Sequence, residues 1–213
     1  MSARDVIGSW VASADAPRDA LVLPDGCVDL ILARRPGTAP ELRVSALMDA
    51  PTRVRLSPGE RLAGFRLAPG RRVDVGVLSA VPPADAEDAA AILDRLPEIA
   101  PRSPRLEEAL ACLAEARDVA GAAARAGVAP RTLQRLVRAE TGRSPDFWRR
   151  LARARRAGRA LLAGTSPAEA AFAAGYADQA HLTRELSRWL GTTPGRLVRD
   201  ETVAGMVLAT GYG

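Results

Sequence analysis

Apolar positions along this chain change rhythm once. Up to about residue 75 they fall in short runs cut by turn residues. Leu21-Val22-Leu23 and Val28–Leu32 flank Pro24-Asp25-Gly26, a turn signal between two apolar runs. Leu42–Leu47 and Thr52–Leu56 alternate with period two, the pattern of a half-buried strand. Ser57-Pro58-Gly59-Glu60 is a further turn, and Leu62–Leu67 a further strand stopped by Pro69-Gly70. The pattern predicts a small antiparallel sheet or partial barrel. About seventy residues make a thin core alone, so this part is expected to lean on the helices that follow or on a second subunit.

After Pro82-Pro83 the period becomes helical. Ala84 to Leu96 is predicted as a helix with acids in its first turn. Ala86, Ala89, Ala90 and Leu93 line one side, with Ile92 and Leu96 beside them. Pro97 to Pro104 holds three prolines in eight residues and is expected to be a linker. Ser103 is placed to cap the next helix and Pro104 to start it; Leu106, Leu110 and Leu113 face inward. Asp146 to Leu162 is a long helix, spanning roughly 25 Å at 1.5 Å per residue. Phe147, Leu151, Ala154, Gly158 and Leu161 form its apolar stripe; Arg149, Arg153 and Arg156 form a second stripe at helical spacing.

On either side of that helix one plan occurs twice. Val119 to Gly127 is a small-residue helix ending in Gly, followed by Val128–Pro145. Within it Leu133, Leu136 and Val137 are apolar, while Arg131, Thr132, Gln134, Arg135 and Arg138 are polar. About forty-eight residues later Gly175–Pro194 repeats the layout. Leu182, Leu186 and Leu190 give one apolar edge, and Gln179, His181, Thr183 and Arg184 lie away from it. A short turn containing Gly between two helices marks a helix-turn-helix, and an internal repeat is stronger evidence than one copy.

These residues resemble the DNA-binding domain of AraC/XylS-type transcription regulators over residues 103 to 198. Gly175-Tyr176, Asp178-Gln179, His181-Leu182, Arg184, Gly191 and Pro194 carry the more specific part of the match. The resemblance implies two helix-turn-helix units joined by one long helix, each second helix entering the major groove of double-stranded DNA. Arg131, Gln134 and Arg135 fall at base-reading positions of the first unit; Thr132 and Arg138 are placed for phosphates. Gln179, Ala180, His181, Thr183 and Arg184 fall at the contact positions of the second. Ala180 is a departure, small enough to touch only a thymine methyl. Arg149 and Arg153 are taken as phosphate contacts. A second departure is Ala129, where the family has a capping Ser; a lost cap costs about 1 kcal/mol and would leave the first unit the less rigid reader. His181 has a plainer alternative, packing half-buried beside Trp189.

Charge agrees with that division. The 213 residues carry net +5, but unevenly. Residues 1–100 hold 12 Arg against 14 Asp+Glu, net −2, and residues 101–213 hold 18 Arg against 11 Asp+Glu, net +7. The basic half is the half with the repeat, as a surface meeting phosphates requires. The chain contains no Lys, the mark of an Arg- and Ala-favouring codon usage, which weakens arguments from any single Arg. With only Cys27, Cys112 and one His, no zinc cluster can be assembled. No signal-peptide pattern opens the chain and no apolar run approaches about 20 residues, so a cytoplasmic, non-membrane protein is expected.

The expected class is α+β: a β-rich sensor or dimerisation domain over 1–80, a helix and Pro-rich linker over 81–102, the DNA-binding domain over 103–198, and a tail over 199–213. The stretches Leu23–Leu32 and Gly64–Gly70 resemble the short β-rich N-terminal domain of some AraC-type regulators. By that analogy a small-molecule effector and a homodimer are expected, with RNA polymerase as the partner of activation; the residues name no effector. No cofactor and no enzymatic activity are expected. Two alternatives stand beside this. One is a DNA-alkylation-repair methyl acceptor using Cys27, which would need a zinc-activated cysteine cluster. The other is a module that binds DNA weakly and acts through protein partners. The apolar tail Val203–Thr210 either docks or frays.

Overall fold

Turn glycines and prolines cut the described residues of the N-terminal part into six strands: β1 Val6–Ala14, β2 Arg18–Val22, β3 Asp29–Arg34, β4 Glu41–Val44, β5 Thr52–Leu56 and β6 Glu60–Leu67. A computed structural model describes residues 5–81 and 89–213. Four strands form one sheet in the order β1-β6-β3-β4, and β2 pairs with β5. Neighbours in the four-stranded sheet are antiparallel. Strands β3, β5 and β6 fall on the apolar runs that predict them. Strand β4 ends at Val44, before the expected Leu47, where Ser45 turns in and its hydroxyl accepts from the Asp29 amide at 2.8 Å. Strand β1 has no counterpart among the predicted strands, because Gly8, Ser9, Ala12 and Ser13 interrupt its large apolar residues.

Gly64 sits opposite Trp10 in the β1–β6 ladder. A Cβ built on Gly64 would collide with the Trp10 ring, so only glycine lets the indole lie across the strand. Glu60 opens β6 with its side chain buried. It accepts from the Ser57 amide at 3.1 Å and from Arg35 Nε at 3.0 Å, with Arg43 at 3.7 Å. These partners hold its carboxyl below the usual range, the Ser57 amide most strongly.

Among the described residues three short helices follow in this unit: α1 Val75–Ser79, capped by Asp74, α2 Ala89–Asp94 and α3 Leu96–Ile99. Their Ile92, Leu96 and Ile99 pack with Leu30, Leu67 and Leu78 into one core. Two expectations change here. The predicted helix over 84–96 lies partly outside the described residues. Its described part buries Ile92 and Leu96, while Ala90 is exposed and Leu93 half-buried. The stretch expected as linker begins with helix, and Ile99 and Ala100 are 0% and 1% exposed. Pro97 falls within the first turn of α3, where a missing N–H costs nothing.

The second unit gathers Arg105–Gly213 with two short N-terminal segments, Val22–Gly26 and Met48–Thr52. Its helices are α4 Pro104–Glu115, α5 Val119–Arg125, α6 Pro130–Thr141, α7 Pro145–Leu162, α8 Pro167–Ala173, α9 Gln179–Leu190, α10 Pro194–Leu197 and α11 Glu201–Leu208. The eighteen-residue α7 is the hub. Helices α5, α6, α8, α9, α10 and α11 all pack on it. Its buried face is Trp148, Leu151, Ala152, Ala154, Ala157, Gly158 and Leu161. Trp148, not the half-buried Phe147, anchors the N-terminal end. Gly158 lets α7 come close: a Cβ there would meet Leu190 and Val207 at 3.1 Å each.

The C-terminal tail docks. Asp200 caps α11, and Val203 and Val207 are buried. Tyr212 is packed edge-on to Trp148 at 5.0 Å, and its hydroxyl donates to the Leu110 carbonyl at 2.7 Å. The Tyr212 amide donates to Asp25 O at 2.8 Å, so the segment Val22–Gly26 is stitched to the tail.

Candidate nucleic-acid interface

The two halves of the repeat correspond element by element. Helices α5 and α8 have seven residues each, and α6 and α9 have twelve each. The turns between them hold Gly127 and Gly175 at φ +65° and +74°, a left-handed backbone that L side chains resist. Helices α6 and α9 both end on a left-handed Gly, Gly142 and Gly191. Each is followed by a Ser/Thr-Pro start, Ser144-Pro145 and Thr193-Pro194.

Burial fixes which face of each second helix is free. In α6, Leu133 and Val137 are fully buried. Arg131, Thr132, Gln134, Arg135 and Arg138 are all exposed. With Ala139 they line one shallow open groove along the outer face of the helix. None of these three arginines makes an ion pair among the described residues. In α9, Leu182, Leu186, Trp189 and Leu190 are buried, and Gln179, Ala180 and Arg184 are exposed. His181 and Thr183 are half-buried. The Thr183 hydroxyl donates back to the Gln179 carbonyl at 2.9 Å, so part of its hydrogen-bonding capacity is used within the helix.

The two helix starts differ. Asp178 caps α9, its carboxylate accepting from the His181 amide at 2.6 Å. Ala129 precedes α6 and supplies no side-chain bond. Thus no carboxylate stands at the start of α6, where the Thr132 and Leu133 amides turn back to the Ala129 carbonyl and Arg131 lies alongside, while the start of α9 is partly neutralised by Asp178. The helix dipole and the arginines make the start of α6 the more anion-attracting of the two.

His181 packs edge-on to Tyr176, ring centroids 5.1 Å apart, rather than beside Trp189. Tyr176 is buried beneath it, and burial raises its phenol to about 12 against the opposing pull of Arg153. Arg153 lies over the Tyr176 ring at 4.3 Å and reaches Glu185 at 3.9 Å; Glu185 accepts from Trp189 Nε1 at 3.4 Å. Arg149 is turned inward too, its side chain 13% exposed. It bonds Asp146 Oδ1 at 2.6 Å and the Arg117 carbonyl at 2.9 Å. Arg156 is exposed and donates to the Ala114 carbonyl. The arginine stripe of α7 is therefore largely engaged within the domain: Arg149 and Arg153 fasten α7 to its neighbours.

One arginine escaped the sequence reading altogether. Arg155 is 0% exposed and donates to the carbonyls of Val207 and Ala209 at 3.3 and 2.8 Å. Its spacing from Leu151 and Trp148 was a signal that it points into the core. Cys27 is buried, and among the described residues no three His, Cys, Asp or Glu gather to hold a metal ion. No described helix is long and apolar enough to cross a membrane.

The sequence profile of a helix-turn-helix domain matches residues 122–200. Among solved structures, the chain is similar to a transcriptional regulator of the AraC-type DNA-binding domain-containing proteins from Chromobacterium violaceum. Identity is 25%, over 45% of this chain and 90% of that one, with a TM-score of 0.41. It is also similar to the DNA-binding domain of AdpA, a global transcriptional factor solved in complex with a target DNA. Identity there is 32%, over 46% of this chain and 92% of that one, with a TM-score of 0.38. No curated protein matched. The matched span begins inside α5 and ends after α10, so it holds α6, α7, α8 and α9 whole. By that match residues 122–200 of this chain form a helix-turn-helix domain.

Proposed function

We propose that this chain is a sequence-specific, DNA-binding transcription regulator that reads the major groove with α6 and α9. The observation that carries the reading is the outer face of α6. Five polar residues, three of them arginines without an ion pair among the described residues, stand exposed over a fully buried Leu133 and Val137. Arg can pair bidentately with guanine and Gln with adenine, each good pair worth about 1–3 kcal/mol of discrimination. Arg131, Gln134 and Arg135 are the base readers in this proposal, and Thr132 and Arg138 grip phosphate. On α9, Gln179, Ala180 and Arg184 face the bases, and His181 and Thr183 stand at the margin.

The two helices contribute unequally. Helix α6 offers three exposed cations and an uncapped start; α9 offers Arg184 near its start, where Asp178 caps the helix. Phosphate attraction, and with it salt dependence, should come mainly from the first helix-turn-helix. The second adds discrimination through Gln179 and Ala180 beside the single cation Arg184.

Selection of bound sequences from a random duplex pool tests this, followed by anisotropy titrations of the winner at several salt concentrations. A bipartite motif with halves about one helical turn apart, bound about 10³-fold or more above random DNA, supports a two-headed reader. A steep salt slope with no enriched motif overturns sequence reading and leaves phosphate binding alone.

A further inference from the structure

We infer that the segment Met48–Thr52 is a brace across the two helix-turn-helix units, with Asp49 and Pro51 as positioning residues that set the separation and angle of α6 and α9. That role rests on the two-headed DNA reading proposed above and adds to it what fixes the spacing of the two half-sites.

The brace lands on equivalent corners of the repeat. Helix α6 ends at Gly142 and turns through Arg143 and Ser144 into Pro145; α9 ends at Gly191 and turns through Thr192 and Thr193 into Pro194. Met48–Thr52 groups with this helical unit although it precedes it in the chain by some fifty residues. On the first corner, Asp49 Oδ2 accepts from Arg143 Nη1 at 2.7 Å. On the second, Pro51 lies flush against Gly191: a Cβ built there would stand 3.2 Å from both Cβ and Cγ of the proline. Between these two contacts the Thr52 hydroxyl donates to the Ala50 carbonyl at 3.0 Å, tying the segment to itself. From the inner side the same corners are joined through Phe147 at the start of α7. The Arg143 guanidinium lies over the Phe147 ring at 5.2 Å, and that ring meets Trp189 of α9 edge-on at 5.4 Å. Asp49, Arg143, Phe147, Trp189, Gly191 and Pro51 thus close a ring of contacts around the two helix ends.

Geometry, more than stability, is what such a brace supplies. The Asp49 and Arg143 side chains are 61% and 33% exposed, and an ion pair so open to water adds little to folding. Its effect is to remove freedom between two helices that each rest on α7. Both helices have twelve residues, about 18 Å at 1.5 Å per residue. The residues proposed to read bases, from Arg131 and from Gln179 onward, lie at the ends away from the braced corners. A small tilt at a corner is therefore carried along the helix to the reading end. Two heads held at one separation bind matched half-sites with the gain of effective concentration, and they lose that gain when the separation is wrong.

The full chain and an Asp49→Ala/Pro51→Ala double variant are titrated against three duplexes: the selected one, the same with one base pair added between its halves, and one that keeps a single half. The added pair turns the second half by about a tenth of a turn. Wild type is expected to lose about tenfold or more in affinity on that insertion, and the double variant less than about threefold, with single-half binding equal in both. Asp49→Glu keeps the carboxylate and should keep the wild-type spacing preference. Asp49 is exposed and Pro51 half-buried, so circular dichroism should be unchanged. A second arm needs no DNA. Spin labels at Ala139→Cys on α6 and Arg188→Cys on α9, in a Cys112→Ser background with Cys27 buried, should give a narrow distance distribution that the double variant broadens. Equal spacing preference in the two proteins, a uniform loss on all three duplexes, or an unchanged distance distribution would each overturn the brace. A pool that yields no two-part motif would overturn the two-headed reading instead, and the spin-label distances would still decide whether Met48–Thr52 holds the helices in place.

Discussion

The Asp178 carboxylate accepts a hydrogen bond from the backbone amide of His181 at 2.6 Å, and the side chain at the equivalent position of the first helix-turn-helix, Ala129, can accept none. One side-chain oxygen thus separates two otherwise matching helix starts. The backbone at Ala129, φ −67° and ψ 147°, is nearly that of Ser144 and Ser166, which both cap their helices. Ala129→Ser should therefore close the missing bond without strain and stabilise the C-terminal unit by about 1 kcal/mol. Asp178→Ala should cost about the same. Urea unfolding followed by far-ultraviolet circular dichroism checks both; no gain from the serine would mean that the start of α6 is already satisfied by its Pro130 turn.

Arg155 ties the tail to the hub. Its guanidinium is fully buried and donates to two carbonyls at the end of α11 and just beyond it. Arg155→Met keeps the apolar stem and removes those donors. Each carbonyl left without a partner costs about 1–3 kcal/mol. The local expectation is faster hydrogen exchange in α11 and at Tyr212, with α6 and α9 less affected. Uniform loosening of every helix would instead make Arg155 a general core element.

What could be seen in the sequence divides along physical lines. The second helices of both repeats were legible because Leu133 and Val137, and Leu182, Leu186 and Leu190, recur at helical spacing between glycines that only a left-handed turn needs. Strand β1 was not legible, since Gly8, Ser9, Ala12 and Ser13 give no apolar alternation and its place is set by pairing with β6. Spacing put Arg149, Arg153 and Arg156 on one side of α7 but could not say whether phosphates or Asp146, Arg117, Tyr176 and Glu185 lay on that side. For His181 the nearer apolar neighbour lay across the turn, at Tyr176, rather than further along its own helix.

Glu60 makes the N-terminal sheet acid-sensitive. Hydrogen bonds from Ser57 and Arg35 and the charges of Arg35 and Arg43 depress its folded-state pKa below that of an unfolded glutamate, about 4.3. The stability this contributes is therefore fully present above the ordinary range and is lost as pH falls through the depressed value. Glu60→Gln should lower stability at neutral pH and narrow the gap to wild type below about pH 4. Thermal unfolding of both proteins from pH 7 to pH 3 reads this directly. A stability difference that stays constant over that interval would show that the amide variant suffers from lost geometry rather than lost charge.

Arg135 and Arg153 separate affinity from architecture. Arg135 is exposed on α6 with no ion pair among the described residues, whereas the Arg153 side chain is 17% exposed between Tyr176 and Glu185. If Arg135 approaches DNA, Arg135→Ala should weaken binding with little effect on unfolding. The slope of log K against log salt should fall by about 0.9 if the contact is to one phosphate; a base contact would instead relax one half of the motif. Arg153→Ala should do the opposite: Tyr176 loses its cation cover, Glu185 its partner, and stability drops by about 1 kcal/mol. The salt slope measured on folded protein should then stay near that of wild type. A reduced slope in Arg153→Ala at unchanged stability would return Arg153, and Arg149 with it, to the phosphate-facing surface that their spacing first suggested.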